Sequence, residues 1–427
     1  GGRIFYTGGY VRDLILGIPS KDIDVEVYNI SPHSFLEILS RFGEIDIIGK
    51  SFGIIKIKSL DIDFSMPRRE RKTGVSHKDF EVSVDPFMSF REACRRRDFT
   101  MNAILKDVLS EEIIDPFSGI KDIKNKTIRH INNTTFVEDP LRVYRAAQFA
   151  GRFGFSIDPE TVELCKKIDL SFLPKERIFD ELLKLLLLSD KPSIGFEYLR
   201  EMRVIKKYFP QLYAMIGCPQ SRIHHPEGDV WQHTMLVIDE AAKLRGKSKA
   251  PDVFMLAALR HDIGKPITTR KENGRITSRG HAEAGEQLAM EVLSLLTNDK
   301  KILSKTTELV KYHMHPLLLY KKAKNPAIRR LANKCDIHEV LLLHEADYKG
   351  RSLDTSDFNK IKKWYQEKIE KFSLEEKIEP LVKGRDLIKL GLEPGVHFGE
   401  ILKHAFEMQL DGLSYENIIE NIKEIYL

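Results

Sequence analysis

Gly8-Gly9-Tyr10-Val11-Arg12-Asp13 and, shortly after, Lys21-Asp22-Ile23-Asp24-Val25 are the stretches on which the fold turns. The first follows a short β-rich run, Ile4–Thr7, and opens a helical one, Val11–Leu16. Glycine at such a junction leaves backbone N–H groups open to a triphosphate, where a side chain would obstruct approach. In the second stretch, residues two apart project from one face of a strand. Asp22 and Asp24 can therefore hold a pair of Mg²⁺ ions together while Ile23 and Val25 face the core. Either stretch alone describes something ordinary, a turn or a solvated strand edge. Their succession points to a site for metal-assisted chemistry on a phosphate chain.

Working outward, Leu60-Asp61-Ile62-Asp63-Phe64 offers a third carboxylate. Alternation puts Asp61 and Asp63 on the same face, and Asp63 is the expected catalytic partner of Asp22 and Asp24. The basic run that follows makes Arg68, Arg69, Arg71 and Lys72 candidate contacts to triphosphate or RNA, although a charge run is usually only a solvated loop. β-rich runs at Asp22–Val27, Gly53–Ile57 and Ser59–Phe64 alternate with helical stretches at Val11–Leu16 and His33–Phe42. After Asp115-Pro116 and the turn at Ser118-Gly119 the β signal fades. Pro140–Phe153, Glu160–Ile168 and Arg177–Leu188 then carry apolar residues at helical spacing. The class expected is α+β: a mixed α/β head over 1–130, a helical neck over 131–210, a His-rich helical domain over 211–350 and a helical tail over 351–427.

The 427 residues are 42% hydrophobic and 31% charged, enough for two to four domains without covalent staples. Four cysteines (Cys94, Cys165, Cys218, Cys335) form no CxxC pair, which argues against a disulfide framework or a cysteine zinc site and fits a reducing cytoplasm. No apolar run approaches the roughly 20 residues of a bilayer span, and no secretion signal opens the chain, so no membrane role is expected. The net charge of +5 permits nucleic-acid binding without requiring it.

With Gly8-Gly9-x-Val-Arg-Asp and Asp22-x-Asp24 in place, the first half of the chain resembles the class II tRNA nucleotidyltransferases and bacterial poly(A) polymerases, and the later motifs of that family follow in order. The resemblance implies a polymerase-beta-like head and assigns Gly8, Gly9 and Arg12 to the nucleotide. Arg96-Arg97-Asp98-Phe99-Thr100-Met101-Asn102-Ala103 is similar to the second motif, which implies that Arg97, Asp98 and Asn102 handle ribose and phosphate. Asp115-Pro116-Phe117-Ser118-Gly119, with Asp122, resembles the third, a hinge. Glu138-Asp139-Pro140-Leu141-Arg142 looks like the EDxxR motif, in which Asp139 and Arg142 would pair with the Watson–Crick edge of the incoming CTP or ATP. Three residues apart, the two would share a helix face; Asp139 would also make an ordinary N-cap with Pro140 in the first turn. Glu176-Arg177-Ile178-Phe179-Asp180-Glu181 resembles the fifth motif, a brace.

Farther on stand His233, the pair His261-Asp262 in Leu-Arg-His-Asp-Ile-Gly-Lys, then His281, His313 and Asp347. These resemble the HD phosphohydrolase superfamily. Imidazole and carboxylate donors suit a divalent transition metal such as Mn²⁺ or Ni²⁺, which would activate water against a phosphate ester. His233, His261, Asp262 and Asp347 would form the core set, His281 and His313 a second site, and His224, His225 and Lys265 would meet phosphate. Gly384-Arg385-Asp386 and Gly391-Leu392-Glu393-Pro394-Gly395 resemble the tail of some relatives, a surface for the tRNA body.

The expected function is template-independent addition of CCA to the 3′ end of tRNA from CTP and ATP with Mg²⁺ in the head, joined to an HD activity in 3′-end repair. A poly(A) polymerase, or an enzyme adding only CC or only A, shares these motifs. The segment Arg68–Asp79, long enough for the loop that the family associates with the switch from C to A, favours full CCA addition. A hydrolase with a non-catalytic RNA-binding head is the alternative of another class.

Overall fold

The computed structural model describes residues 1–427 except 21, 49–53, 59, 61, 73–79, 352, 353, 355 and 375–377. It divides into two compact units, Gly1–Pro210 and Gln211–Leu427.

The first unit is built on a seven-stranded mixed sheet. Its strands are β1 (Arg3–Thr7), β2 (Ile23–Tyr28), β3 (Ile45–Ile48), β4 (Ile54–Ile57), β5 (Ile62–Ser65), then β8 (Leu105–Asp107) and β9 (Ile113–Ile114) beyond the pair β6 (Arg68–Lys72) and β7 (Phe80–Val84). They lie in the order β3-β4-β5-β2-β1-β8-β9, and β2 and β5 run parallel with Asp24 opposite Asp63. Val25, Val27, Ile55, Ile57 and Phe64 pack with Phe35 and Leu39 of the helix Pro32–Leu39 on one face. That burial fixes the register: because side chains alternate, Asp24, Glu26 and Asp63 must project from the other face.

β1 passes directly into the helix Gly8–Leu16, which begins three residues earlier than periodicity predicts because Gly8 turns the chain in the left-handed region, at φ +65°. The basic run expected as a loop is strand β6, paired antiparallel with β7. Helices Arg142–Phe153, Pro159–Cys165, Lys175–Leu188 and Pro192–Glu201 follow.

The third motif is a capped helix. Asp115 accepts hydrogen bonds from the N–H groups of Gly119 and Ile120, at the start of the helix Gly119–Lys124, and the Asp122 carboxylate accepts from Thr100 Oγ1 at 2.7 Å. Gly119 lies so close to Thr100 that an added Cβ would stand 2.2 Å from its carbonyl oxygen.

In the second unit, helices Val230–Leu244, Pro251–Arg260, His281–Ser294, Lys300–Tyr312 and Ile337–Gly350 bury Trp231, Phe254, Val310 and Val340. Asp229, Asp299 and Asp336 cap three of them. A small hairpin pairs Arg270–Glu272 with Arg275–Thr277. Ile361, Tyr365 and Ile369 of the helix Ser356–Phe372 share a core with Ile328, Ile337 and Leu341, and a separate cluster around Leu387, Ile401, Ile418 and Ile422 holds the last helices. All four cysteines are buried and free. Among the described residues no helix is long and apolar enough to cross a membrane.

Gly119→Ala is expected to lower stability by about 1–3 kcal/mol, because the methyl group meets backbone rather than a side chain that can yield. A urea midpoint equal to that of the parent protein would show that the close approach is not a constraint.

Candidate functional site

At the head, Gly8 is the junction between strand and carboxylates. A Cβ there would lie 3.3 Å from both Asp24 Oδ2 and Arg97 Nη1, so the helix N-terminus, the carboxylate and the guanidinium converge on one point. Burial, then the charges of Asp63 and Asp22, raise the Asp24 carboxyl above its ordinary range against the pull of Arg97. A carboxylate crowded by two others fits a divalent cation, which would relieve all three. The three head carboxylates are nonetheless not drawn into one tight set: Asp63 Oδ1 pairs with Lys56 Nζ at 2.6 Å. Asp61 and Lys21 lie outside the described residues.

Arg97 is held by Glu26, which is fully buried, accepts from Tyr28 Oη at 2.8 Å, and stands 3.5 Å from both Arg96 Nη2 and Arg97 Nη2. Burial opposes the Arg97 charge, but Glu26 keeps its pKa above the ordinary value. Glu26 was not among the expected residues, although it continues the alternation of Asp22 and Asp24.

Arg12, Asp98 and Asn102 form a buried chain of hydrogen bonds. Arg12 is 4% exposed; its Nε donates to Asp13 Oδ1 and its Nη1 to Asn102 Oδ1, each at 2.8 Å, and its guanidinium lies over the rings of Phe149 and Phe153. Asn102 Nδ2 donates to Asp98 Oδ1, whose partner oxygen accepts from Arg145 Nε at 2.8 Å. Burial opposes the Asp98 charge, but Arg145 and Asn102 hold its carboxyl below the usual range.

Asp139 and Arg142 do not share a helix face, because the helix begins at Arg142 and Asp139 lies in the preceding turn. The Asp139 carboxylate accepts from Leu141 N at 3.1 Å and pairs with Arg177 Nη2 at 3.4 Å, so the brace of the fifth motif reaches the base-reading candidate directly. Arg142 donates to the carbonyls of Thr135 and Arg96, each at 2.6 Å. On the basic ribbon, Arg69 is paired with Asp85 and Glu92. Arg68 is on the same strand, and the side chains of Arg71 and Lys72 lie outside the described residues.

In the second unit all six expected ligands come together. His233 Nε2 lies 3.1 Å from Asp347 Oδ1 and 3.3 Å from His261 Nε2; His281 Nε2 lies 3.3 Å from His313 Nε2 and 3.4 Å from Asp262 Oδ1. Asp262 Oδ2 faces the first group, 3.3 Å from His261 Nε2, so this carboxylate stands between two sets of donors, His233-His261-Asp347 and Asp262-His281-His313. His261 and His313 each follow the last residue of a helix and donate Nδ1–H to a carbonyl three residues back, at Ala258 and Val310, while His281 Nδ1 donates to Ser278 O. Those bonds turn each Nε2 lone pair inward, where lone pairs meet at 3.3 Å. A cation between them relieves that repulsion, so the donor set fits a divalent metal. Burial, with His281 and His261 alongside, pushes His313 down to about 3, leaving it neutral as a ligand must be. Burial opposes the charges of Asp262 and Asp347, but Lys265 and Arg351 hold both well below the usual carboxyl range.

Lys265 Nζ is 2.6 Å from Asp262 Oδ2 and donates to Gln220 Oε1 at 2.6 Å; it therefore secures a ligand. His224 is exposed at the cavity, whereas His225 is buried against Glu227, which also lies 2.7 Å from His233 Nδ1. Arg351, Glu227 and Gln220 were not expected from sequence. Only Arg351 left a signal, its four-residue offset from Asp347 on one helix.

Three family models match successive parts of the chain. Residues 4–129 match the model of the Poly A polymerase head domain, 154–215 that of the Probable RNA and SrmB- binding site of polymerase A, and 230–351 that of the HD domain. The chain is 33% identical over 382 residues to the Multifunctional CCA protein of Actinobacillus pleuropneumoniae serotype 5b (strain L20), covering 85% of this chain and 90% of that protein. It is 38% identical over 292 residues to the Multifunctional CCA protein of Nitrosomonas europaea, covering 67% of this chain and 68% of the relative. Among solved structures, a CCA-adding enzyme in complex with CTP aligns with TM-score 0.63 and 23% identity over 99% of this chain and 91% of that one. The Bacillus stearothermophilus CCA-adding enzyme in complex with CTP aligns with TM-score 0.67 and 19% identity over 96% and 89%. These structural likenesses are of fold.

Because the folded-state pKa of Asp98 lies below its ordinary 3.8, its contribution to stability is complete above that value and is lost as pH falls through the folded-state pKa. Asp98→Asn should therefore destabilise by a constant amount between about pH 5 and 8, and the gap to the parent should close below about pH 4. Denaturant titrations across that range check it; a gap that widens in acid would contradict the assignment.

Proposed function

The chain belongs to the family of multifunctional CCA proteins, and on that footing we propose that its first unit adds CCA to the 3′ end of tRNA from CTP and ATP while its second hydrolyses phosphate esters in 3′-end repair. One observation carries the transferase reading: the helix N-terminus at Gly8, the Asp24 carboxylate and the Arg97 guanidinium converge within 3.3 Å of one position.

Mg²⁺ held by Asp22 and Asp24, with Asp63 beside them, would lower the pKa of the RNA 3′-hydroxyl and steady the departing pyrophosphate. The backbone at Gly8 and Gly9, together with Arg97, binds the triphosphate. Asp98, Asn102 and Arg12 serve the ribose and phosphate of the nucleotide and also hold Arg97 and the following helix in place. Asp139 and Arg142 offer acceptor and donor groups to the base edge, with Arg177 setting the Asp139 carboxylate. Arg68, Arg69, Arg71 and Lys72 present a basic ribbon to the RNA backbone. Residues 1–130, 131–210, 211–350 and 351–427 act as head, neck, HD domain and tRNA-binding tail, and free cysteines accord with a reducing cytoplasm.

In the second unit, Mn²⁺ or Ni²⁺ held by His233, His261, Asp262 and Asp347, with another at Asp262, His281 and His313, would supply an activated water.

The transferase reading is tested with Mg²⁺, CTP and ATP on tRNA lacking CCA, tRNA ending in CC and an unrelated RNA, resolved at single-nucleotide length. Addition of CCA to tRNA alone is expected. Long A tracts on any RNA would mean a poly(A) polymerase, and extension of one tRNA form alone a partial enzyme. The double variant Asp22→Asn, Asp24→Asn should lose activity by on the order of 10²-fold or more, as several kcal/mol of charge stabilisation disappear.

Asp262→Asn should cut the Mn²⁺ retained after desalting from two ions per chain to one or none, read by elemental analysis. Undiminished retention would remove Asp262 from the ligand set.

A further inference from the structure

Across the sheet of the first unit, the register sets four charged residues side by side: Asp46 on β3, Lys56 on β4, Asp63 on β5 and Asp24 on β2. Ile55, Ile57, Phe64 and Val25, next to them in sequence, pack into the core on one face, so Lys56, Asp63 and Asp24 share the other. One lysine thus stands at the end of the row of carboxylates assigned above to Mg²⁺, and its Nζ lies 2.6 Å from Asp63 Oδ1.

A lysine opposite an aspartate is on many sheets no more than a cross-strand pair. Lys58 with Glu44, also at 2.6 Å, is such a pair, with both side chains largely exposed. Lys56 differs in what its partner adjoins. Asp63 lies in register with Asp24, whose carboxyl is raised by burial and, against the pull of Arg97, by the charges of Asp63 and Asp22; Lys56 acts in the opposite direction. Its ammonium therefore supplies, beside these carboxylates, part of the charge that a cation would supply. The lysine also has somewhere else to go: Asp46 stands opposite it on the other flank, within the sweep of a flexible four-carbon stem.

We propose that Lys56 holds Asp63 back from the cations of the head until the nucleotide arrives, neutralising this carboxylate in the nucleotide-free enzyme and releasing it when a triphosphate enters. The inference rests on the reading of Asp22, Asp24 and Asp63 as a metal site. Cation affinity follows the count of uncompensated anions around the site. With Lys56 in place that count is low, and the triphosphate restores it, so cation loading becomes coupled to substrate binding. Lys56 is a positioning residue, acting through Asp63.

The test is Mn²⁺ binding without nucleotide, read as free Mn²⁺ by electron paramagnetic resonance, on the full chain whose second unit has been loaded with Mn²⁺ and desalted. Lys56→Met should bind added Mn²⁺ about fivefold more tightly or better, the effect of one screened charge removed at contact range. Lys56→Arg, which keeps the charge, should stay near the parent. A damaged fold would lose affinity, so a gain is not what a merely structural lysine would give. With CTP at saturating concentration, the gap between Lys56→Met and the parent should close. An affinity unchanged or reduced in Lys56→Met, or a gap that persists with CTP, would overturn the proposal. The variant Asp22→Asn, Asp24→Asn, Asp63→Asn separates this from the underlying reading. Weaker binding of added Mn²⁺ there than in the parent upholds the metal site, and equal binding would overturn both the metal site and the role of Lys56.

Discussion

Asp98 is a carboxylate with almost no access to water, and the first unit is arranged around keeping it ionised. Arg145 supplies the compensating charge from the helix Arg142–Phe153, and Asn102 relays the contact to Arg12, whose guanidinium is sandwiched against Phe149 and Phe153 of that same helix. A half-satisfied buried network is worse than an apolar one, so the helix cannot slide against the sheet without stranding a charge. That constraint reaches the site through adjacency: Arg97 precedes Asp98 and donates to the Asn102 carbonyl at 3.3 Å, and Asp139 and Arg142 sit at the helix's entry.

The second unit solves a similar problem with helix ends. A terminating helix leaves its last carbonyls without partners, and the imidazoles of His261 and His313 satisfy two of them. The same bond fixes each ring's tautomer, so the way two helices stop determines which nitrogens face the cluster. Asp262, next to one of these histidines, spans both donor sets because its two oxygens point to opposite sides.

What the sequence made legible follows from the range of the physics involved. The placement of Asp24 on the strand face away from the core needs only alternation, with Asp22 one residue before the strand, and the grouping of the histidines follows from the resemblance to the HD superfamily. The Asp24–Asp63 register depends on a parallel pairing that no local pattern encodes. The same holds for β6, whose basic residues read as a loop until Phe80–Val84 supplies the partner strand. Arg12 is assigned to the nucleotide by the family resemblance, and its burial against rings more than 130 residues away is invisible from its neighbours. Glu26 was visible in principle, two residues past Asp24, but a carboxylate that serves only to hold two arginines has no signature apart from its neighbours.

On the proposed reading of Asp139 as a base-contacting residue, its ion pair with Arg177 gives the neck an internal decoy. A guanidinium and the amino edge of a nucleobase make the same demand on a carboxylate, so any base that engages Asp139 competes with a partner tethered to the same fold. Tight binding is thereby discounted by the same amount for every base that displaces Arg177, so only a base whose edge satisfies Asp139 at least as well as the guanidinium does gains by taking its place. Discrimination at such a position would come less from attraction to the right nucleotide than from the ease with which the protein reverts to recognising itself.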